Sequence, residues 1–171
     1  MAEVPTTVID LSSLALSHGD GRRLDLPVPL EPFELGGQTY RAVPAAATIR
    51  LEVSRPANGF AFHITFPVHL EGPCMRCLEP AAIDLEVEAR ELDQANTDDA
   101  ELRSPYVDED ELEIARWAHD ATMLALPSRI LCRPDCLGLC SVCGEPLNDN
   151  PHEHESAPDP RWSALKDLKL D

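Results

Sequence analysis

The chain has 171 residues, 43% of them hydrophobic, and a formal net charge of −17. That is enough for one domain with its own core, and the charge argues against indiscriminate attraction to nucleic-acid phosphates. The opening MAEVPTTVIDL has neither a basic start nor an unbroken apolar stretch, and no apolar run reaches membrane-spanning length, so the expected location is the cytoplasm with no membrane partner.

In chain order, TTVIDL and RRLDLPVPL near the N-terminus suggest short strands or a covering strap, and the glycine pair at 36–37 reads as a turn. Residues 40–55 (YRAVPAAATIRLEVSR), 60–72 (FAFHITFPVHLEG) and 81–93 (AAIDLEVEARELD) alternate apolar with polar side chains, the period of half-buried strands. Asn58 and Gly59 supply a turn between the first two. Phe60, Phe62, Ile64, Phe66, Val68 and Leu70 share one face of the second run, predicted to be core, while His63 and His69 fall on the solvent face. Pro67 lacks a ladder donor, which places that strand at an edge or a bulge.

Between Asp84 and Glu113 thirteen carboxylates stand against Arg90 and Arg103, and the centre of this stretch predicts a long acidic loop. The period then changes. Ile114, Trp117, Ala118, Ala121, Leu124 and Ala125 recur at helical spacing before Pro127, with Asp108, Glu109, Asp110 and Glu111 at or just before the helix start, where carboxylates complement the dipole. No internal repeat is expected. The predicted class is α+β: mainly an antiparallel β-sheet or partly open barrel, one amphipathic helix and a C-terminal Cys-rich zinc-knuckle region. Residues 1–127 form the β-rich body, with the acidic loop at 93–111 and the helix at 112–126, and residues 128–171 form a Cys-rich region packed on or tethered to it.

The six cysteines carry the chemistry. In a reducing compartment clustered thiols are metal ligands or redox groups ahead of disulfides. Cys74 and Cys77 have chelating spacing in CMRCLEP, with strand pattern on both sides where a redox dithiol would sit after a strand at a helix start. Cys132 and Cys136 have three residues between them, Cys140 and Cys143 two, and Gly144 follows where positive φ lets N–H groups turn toward thiolates. His152 and His154 flank Glu153, and alternate residues of an extended segment point the same way. Eight ligands predict two zinc sites, Cys74, Cys77, Cys132 and Cys136 in one and Cys140, Cys143, His152 and His154 in the other. A competing arrangement has one ion held by Cys74, Cys77, Cys140 and Cys143.

Cys136, Cys140 and Cys143 also have the spacing of the iron–sulfur motif in radical enzymes that use S-adenosylmethionine, but the 28 residues after Cys143 leave no room for their barrel. Ser141 lies inside the cysteine turn, no Gly-x-Ser-x-Gly elbow or phosphate-loop signature is present, and four-ligand cysteine-rich sites are closed. No enzyme is expected, and no small-molecule substrate.

CMRCLEP, then ALPSRILCRPDCLGLCSVCGEPLN, then DPRWSALKDL, in this order and at these distances, resemble the YceD family over nearly the whole chain. The resemblance implies a role in 23S ribosomal RNA accumulation and large-subunit maturation, with a large-subunit ribosomal protein, an assembly factor or pre-rRNA as partner. Arg76 stands at the family's arginine position between Cys74 and Cys77, the first choice for an RNA or protein contact, joined by Arg129 and Arg133 and by Arg161, Lys166 and Lys169 near the end. Where relatives often carry Cys-x-Cys after LN, this chain has His152 and His154. A reading from a different class is a zinc-stabilised redox- or metal-responsive adaptor unrelated to ribosomes.

Overall fold

The computed structural model describes residues 6–94, 99 and 102–154. Its strands are β1 (Ile9–Asp10), β2 (Gly21–Pro29), β3 (Phe33–Leu35), β4 (Gln38–Ala42), β5 (Ala46–Ser54), β6 (Phe60–Pro73), β7 (Pro80–Asp93), β8 (Val107–Asp108) and β9 (Glu111–Leu112), and its one α-helix among the described residues is α1 (Ile114–Ala125). All pairings are antiparallel. The main sheet runs β2-β5-β6-β4-β3, with β7 on the other side of β6, and a small sheet runs β1-β9-β8.

The alternation read from sequence sets the core. Phe60, Phe62, Ile64, Phe66, Val68 and Leu70 are all buried on β6, as are Ile49, Leu51 and Val53 on β5. The open sheet brings both β2 and β7 against α1. Trp117 meets Phe62 edge-on at 6.3 Å and stacks with Tyr106 at 6.2 Å, and Phe33 stacks on His119, so the helix closes the inner face of the sheet with aromatic contacts.

Several local expectations are corrected. The run at 40–55 is two strands, β4 ending at Ala42 and β5 starting at Ala46, because Pro44 between them has no N–H to continue the ladder. Pro67 lies in a central strand, neither at an edge nor in a bulge. β6 pairs with β5 up to Thr65 and with β4 from Leu70, and the carbonyl of His69 accepts from the Val43 N–H. Odd-numbered residues of β6 thus face this divided edge, and the missing N–H of Pro67 falls in the gap between two partners, where no bond is lost.

Part of the expected acidic loop is a hairpin, β8–β9, whose turn residues Glu109 and Asp110 both have positive φ, as a two-residue turn between twisted strands requires. Residues 95–98, 100 and 101 of that loop lie outside the described residues. Asp108 to Glu111 therefore belong to the hairpin, and the first turn of α1 carries no acidic residue. Leu124 and Ala125, assigned to the apolar helix face, are both exposed, Leu124 at 89%, while Ala121 and Thr122 are buried and Met123 packs against the core in their place.

Candidate metal centre

Strands β6 and β7 pair along their whole length to Pro73 opposite Pro80, and the six residues between them make a tight knuckle. Its entry is fixed by Tyr40, whose hydroxyl donates to the Pro73 carbonyl at 2.7 Å. A Cβ on Gly72 would come within 2.3 Å of the Tyr40 ring, so only glycine fits there. Within the knuckle the Leu78 N–H donates to the Cys74 carbonyl (3.0 Å), the Cys74 N–H to the Glu79 carbonyl (2.7 Å) and the Arg76 N–H to the Cys74 sulfur (3.4 Å).

The same turn occurs a second time. Gly144 donates to the Cys140 carbonyl (2.9 Å), Cys140 to the Glu145 carbonyl (2.8 Å) and Val142 to the Cys140 sulfur (3.4 Å). The residue after the second cysteine is left-handed in both, Leu78 at φ 64° and Gly144 at φ 76°. This is an internal repeat that the sequence reading missed, although it is legible there as Cys-x-x-Cys-x-Glu-Pro at 74–80 and at 140–146.

The first knuckle docks on the segment after α1. The Met75 N–H donates to the Ile130 carbonyl at 2.9 Å, and the Ile130 N–H reaches the Met75 sulfur at 3.3 Å. Gly138, at φ 84°, passes so close to Arg76 that an added Cβ would sit 3.2 Å from its carbonyl oxygen. This docking brings Cys132 and Cys136 to the knuckle. The sulfurs of Cys74, Cys77, Cys132 and Cys136 all lie within 4.8 Å of one another, with Cys74 to Cys136 at 3.7 Å and Cys77 to Cys132 at 3.5 Å. Zinc–sulfur bonds of about 2.3 Å in a tetrahedron put sulfurs about 3.8 Å apart, so the donor set fits such an ion, and all six cysteines are free of disulfides. Cys74, Cys77 and Cys136 are buried, while Cys132 is exposed at a surface groove of about 780 Å³ lined also by Arg41, Glu71 and Leu78.

Electrostatics divides these four thiols. Burial opposes the Cys74 thiolate, but N–H groups of Cys77, Arg76 and Cys132 outweigh it and bring Cys74 down to about 6. The Asn148 amide lowers Cys136. Desolvation and the neighbouring sulfurs push Cys77 up, and Cys132 up to about 12. The surroundings thus favour the charged form at Cys74 and Cys136 and oppose it at Cys77 and Cys132, a conflict that a divalent cation reverses.

The second cluster is built locally. Cys140, Cys143, His152 and His154 lie within 4.8 Å of one another, the imidazoles edge to face at 4.9 Å and His152 Nε2 at 3.1 Å from the Cys143 sulfur. N–H groups of Cys143 and Val142 lower Cys140 to about 6. The His152 Nδ1 lies 2.8 Å from the Asn150 carbonyl, and this bond, with the Cys140 thiolate beside it, raises the His152 pKa. A hydrogen bond at Nδ1 leaves Nε2 to face the cysteines, the orienting contact that metal-bound histidines make. Cys140 is buried, but Cys143 and His154 are exposed. Cys140 and Cys143 therefore stand with the histidines rather than with Cys74 and Cys77.

The family model for the large ribosomal RNA subunit accumulation protein YceD matches residues 62–169, from near the start of β6 through both cysteine clusters. The chain belongs to the YceD family. Among curated relatives, uncharacterized proteins of Mycobacterium bovis and Mycobacterium tuberculosis are each 35% identical over 133 residues, 72% of this chain and 62% of theirs. One of Mycobacterium leprae is 30% identical over 101 residues, 56% of this chain and 46% of its own. This YceD chain thus spans under two thirds of the length of the relatives it matches. No solved structure matches it.

The predicted contact residues of this YceD protein differ in their freedom. Arg76 and Arg129 are exposed, and among the described residues neither pairs with a carboxylate. Arg133 is engaged: its guanidinium lies 3.0 Å from Asn148 Oδ1 and 3.5 Å from Asp135, so it braces the loop between the clusters. Arg161, Lys166 and Lys169 lie outside the described residues. Asn148 itself escaped the sequence reading, since an asparagine in NDNP reads as turn chemistry. Only the fold shows that its amide nitrogen reaches the Cys136 sulfur at 3.4 Å.

Proposed function

We infer that this YceD protein is a non-enzymatic factor in large ribosomal subunit biogenesis that supports 23S rRNA accumulation by binding a basic ribosomal protein or assembly factor, with zinc in both ligand sets. The family match over residues 62–169 carries this reading. The charge supports a basic protein partner over naked RNA: beyond the overall −17, the outward face of β7 presents the exposed carboxylates of Asp84, Glu86 and Glu88. Zinc suits four thiolates, and equally a mixed pair of thiolates and imidazoles. Bound there it supplies cross-linking, fastening the β6–β7 knuckle to the tail with closed coordination. No described helix is long and apolar enough to cross a membrane.

Capture of the tagged full chain from cells tests the reading. Recovery of large-subunit precursors or a free basic ribosomal protein, and a fall in 23S relative to 16S rRNA on depletion, are expected; recovery of neither with an unchanged rRNA ratio overturns it. If pre-rRNA is the direct partner, its binding falls steeply with salt, and Arg76→Glu with Arg129→Glu weakens it strongly and makes that slope shallower. Unchanged binding assigns the contact to protein. A second reading, the redox- or metal-responsive adaptor, is favoured by the exposure of Cys143 and His154. Alkylation of the metal-loaded protein decides it: resistance at Cys140 and Cys143 counts against the adaptor.

A further inference from the structure

We propose that Asn148 couples the two ion sites, so that an ion in the outer set (Cys140, Cys143, His152, His154) raises the affinity of the inner set (Cys74, Cys77, Cys132, Cys136). This rests on the reading of both sets as metal sites.

By chain position Asn148 belongs to the outer set, lying between Cys143 and His152 in the segment that an ion bound to both would close into a ring. In space it belongs to the inner one. Its Nδ2 is 3.4 Å from the Cys136 sulfur and 3.9 Å from the Cys132 sulfur. The opposite side of the amide is fixed by donors: the Leu137 N–H reaches Oδ1 at 2.8 Å and the Arg133 guanidinium at 3.0 Å. Donors on that side identify it as the carbonyl, which turns the NH₂ toward the sulfurs. Four thiolates around a divalent ion leave two negative charges uncompensated, and N–H donors to sulfur relieve them. Such supporting contacts are worth about 10- to 100-fold in metal affinity.

The loop carrying Asn148 has a few bonds of its own, the Leu147 N–H to the Gly138 carbonyl at 2.9 Å and the Leu139–Pro146 bridge. Beyond Leu147, residue 148 is held by the Leu137 N–H and the Arg133 guanidinium, the latter also 3.4 Å from its carbonyl, and closing the ring at Cys143 and His152 adds the constraint that keeps these contacts aligned. Linkage makes the coupling reciprocal: the inner ion strengthens the outer one by the same factor.

Cobalt titration of the metal-stripped, reduced full chain against a competing chelator reads both sites, because a four-sulfur and a two-sulfur, two-nitrogen cobalt site absorb differently. Removing the outer site by His152→Ala with His154→Ala is expected to weaken inner cobalt binding about ten-fold. Asn148→Ala is expected to do the same, and the combination no more than either alone, as for residues on one path. Asn148→Asp keeps the acceptor for Leu137 and Arg133 but turns an oxygen to the thiolates, so its loss is the largest. An inner affinity unchanged by outer-site loss, losses that multiply in the combination, or an aspartate variant as tight as wild type overturns the coupling alone. Cobalt bound at neither cluster of the wild-type chain overturns the metal reading with it.

Discussion

The two knuckles share a backbone and differ in what surrounds them. The first sits at the closed end of the β6–β7 pair, anchored by Tyr40 and docked on Ile130. Its ligand set joins residues far apart in the chain, 74 and 77 with 132 and 136. The second draws all its ligands from residues 140–154 and exposes two of them. A local hydrogen-bond pattern, written in Cys-x-x-Cys-x-Glu-Pro, produces the turn in both places. Whether that turn fastens a fold or a loop is decided by the tertiary contacts that deliver the other two ligands.

The largest expected effect follows from that difference. Cys74→Ser in the metal-loaded protein leaves a buried cross-link undone and should cost about 4 kcal/mol or more, where a lost structural metal belongs, lowering Tm by roughly 10 °C for a chain of this size. Cys143→Ser should cost about 1 kcal/mol, within roughly 2–4 °C, and show itself mainly as faster proteolysis between residues 140 and 154. Thermal unfolding of the two variants beside wild type checks both. Equal shifts would break the comparison.

What could be read beforehand divides along the same line between local and tertiary. The β6 and β7 runs, α1 and the two knuckles have strong short-range patterns, and the sequence assigns all of them. Pro67 misled because a proline inside a strand reads as an edge, whereas here its missing donor falls where β5 gives way to β4. That divergence is a property of the sheet and leaves no mark near residue 67. The β8–β9 turn was hidden because two successive residues at positive φ usually include a glycine and Glu109 is uncommon there, so the acidic run read as loop. Leu124 has the right helical phase, yet its neighbour Met123 is the residue that packs against the core. Asn148 matters through contacts eleven to sixteen residues back, with Leu137, Cys136, Arg133 and Cys132.

The knuckles can also be interchanged at one residue. Leu78 holds φ 64° with a side chain that is 53% exposed, while Gly144 holds φ 76° with no atom within 4 Å of where a Cβ would stand. A left-handed residue bearing a Cβ costs roughly 1–2 kcal/mol. Gly144→Ala should therefore weaken the outer site by about 1 kcal/mol through backbone strain alone, with no steric contribution. Leu78→Gly should remove that strain from the inner knuckle, partly offset by the freer unfolded chain. Chelator competition on each variant measures the outcome. If Gly144→Ala binds cobalt as tightly as wild type, the two turns are not equivalent.

The smallest effect is a titration that reports whether damage at the inner knuckle spreads into the sheet. His69 on β6 is directly opposite Asp84 on β7, four residues before Pro73. Its Nδ1 lies 2.6 Å from Asp84, and its Nε2 3.7 Å from Glu71. The Asp84 hydrogen bond leads the causes that raise His69 above its ordinary value of 6.5, desolvation opposes it, and the charges of Asp84 and Glu71 add to it. Because the folded value is the raised one, the pair's contribution to stability is fully present below 6.5 and is lost as pH rises through the folded pKa. His69 is partly exposed and its ion pairs are screened by solvent, so the imidazole signal followed by NMR is a cleaner readout than stability. Asp84→Asn should return the midpoint toward 6.5. In Cys74→Ser the midpoint should stay raised if the inner ion only fastens the tail, since the β6–β7 ladder is intact around His69. A midpoint that falls to 6.5 would show that the ion also clamps the end of that ladder, and the inner cluster would then be part of the body rather than its link to the tail.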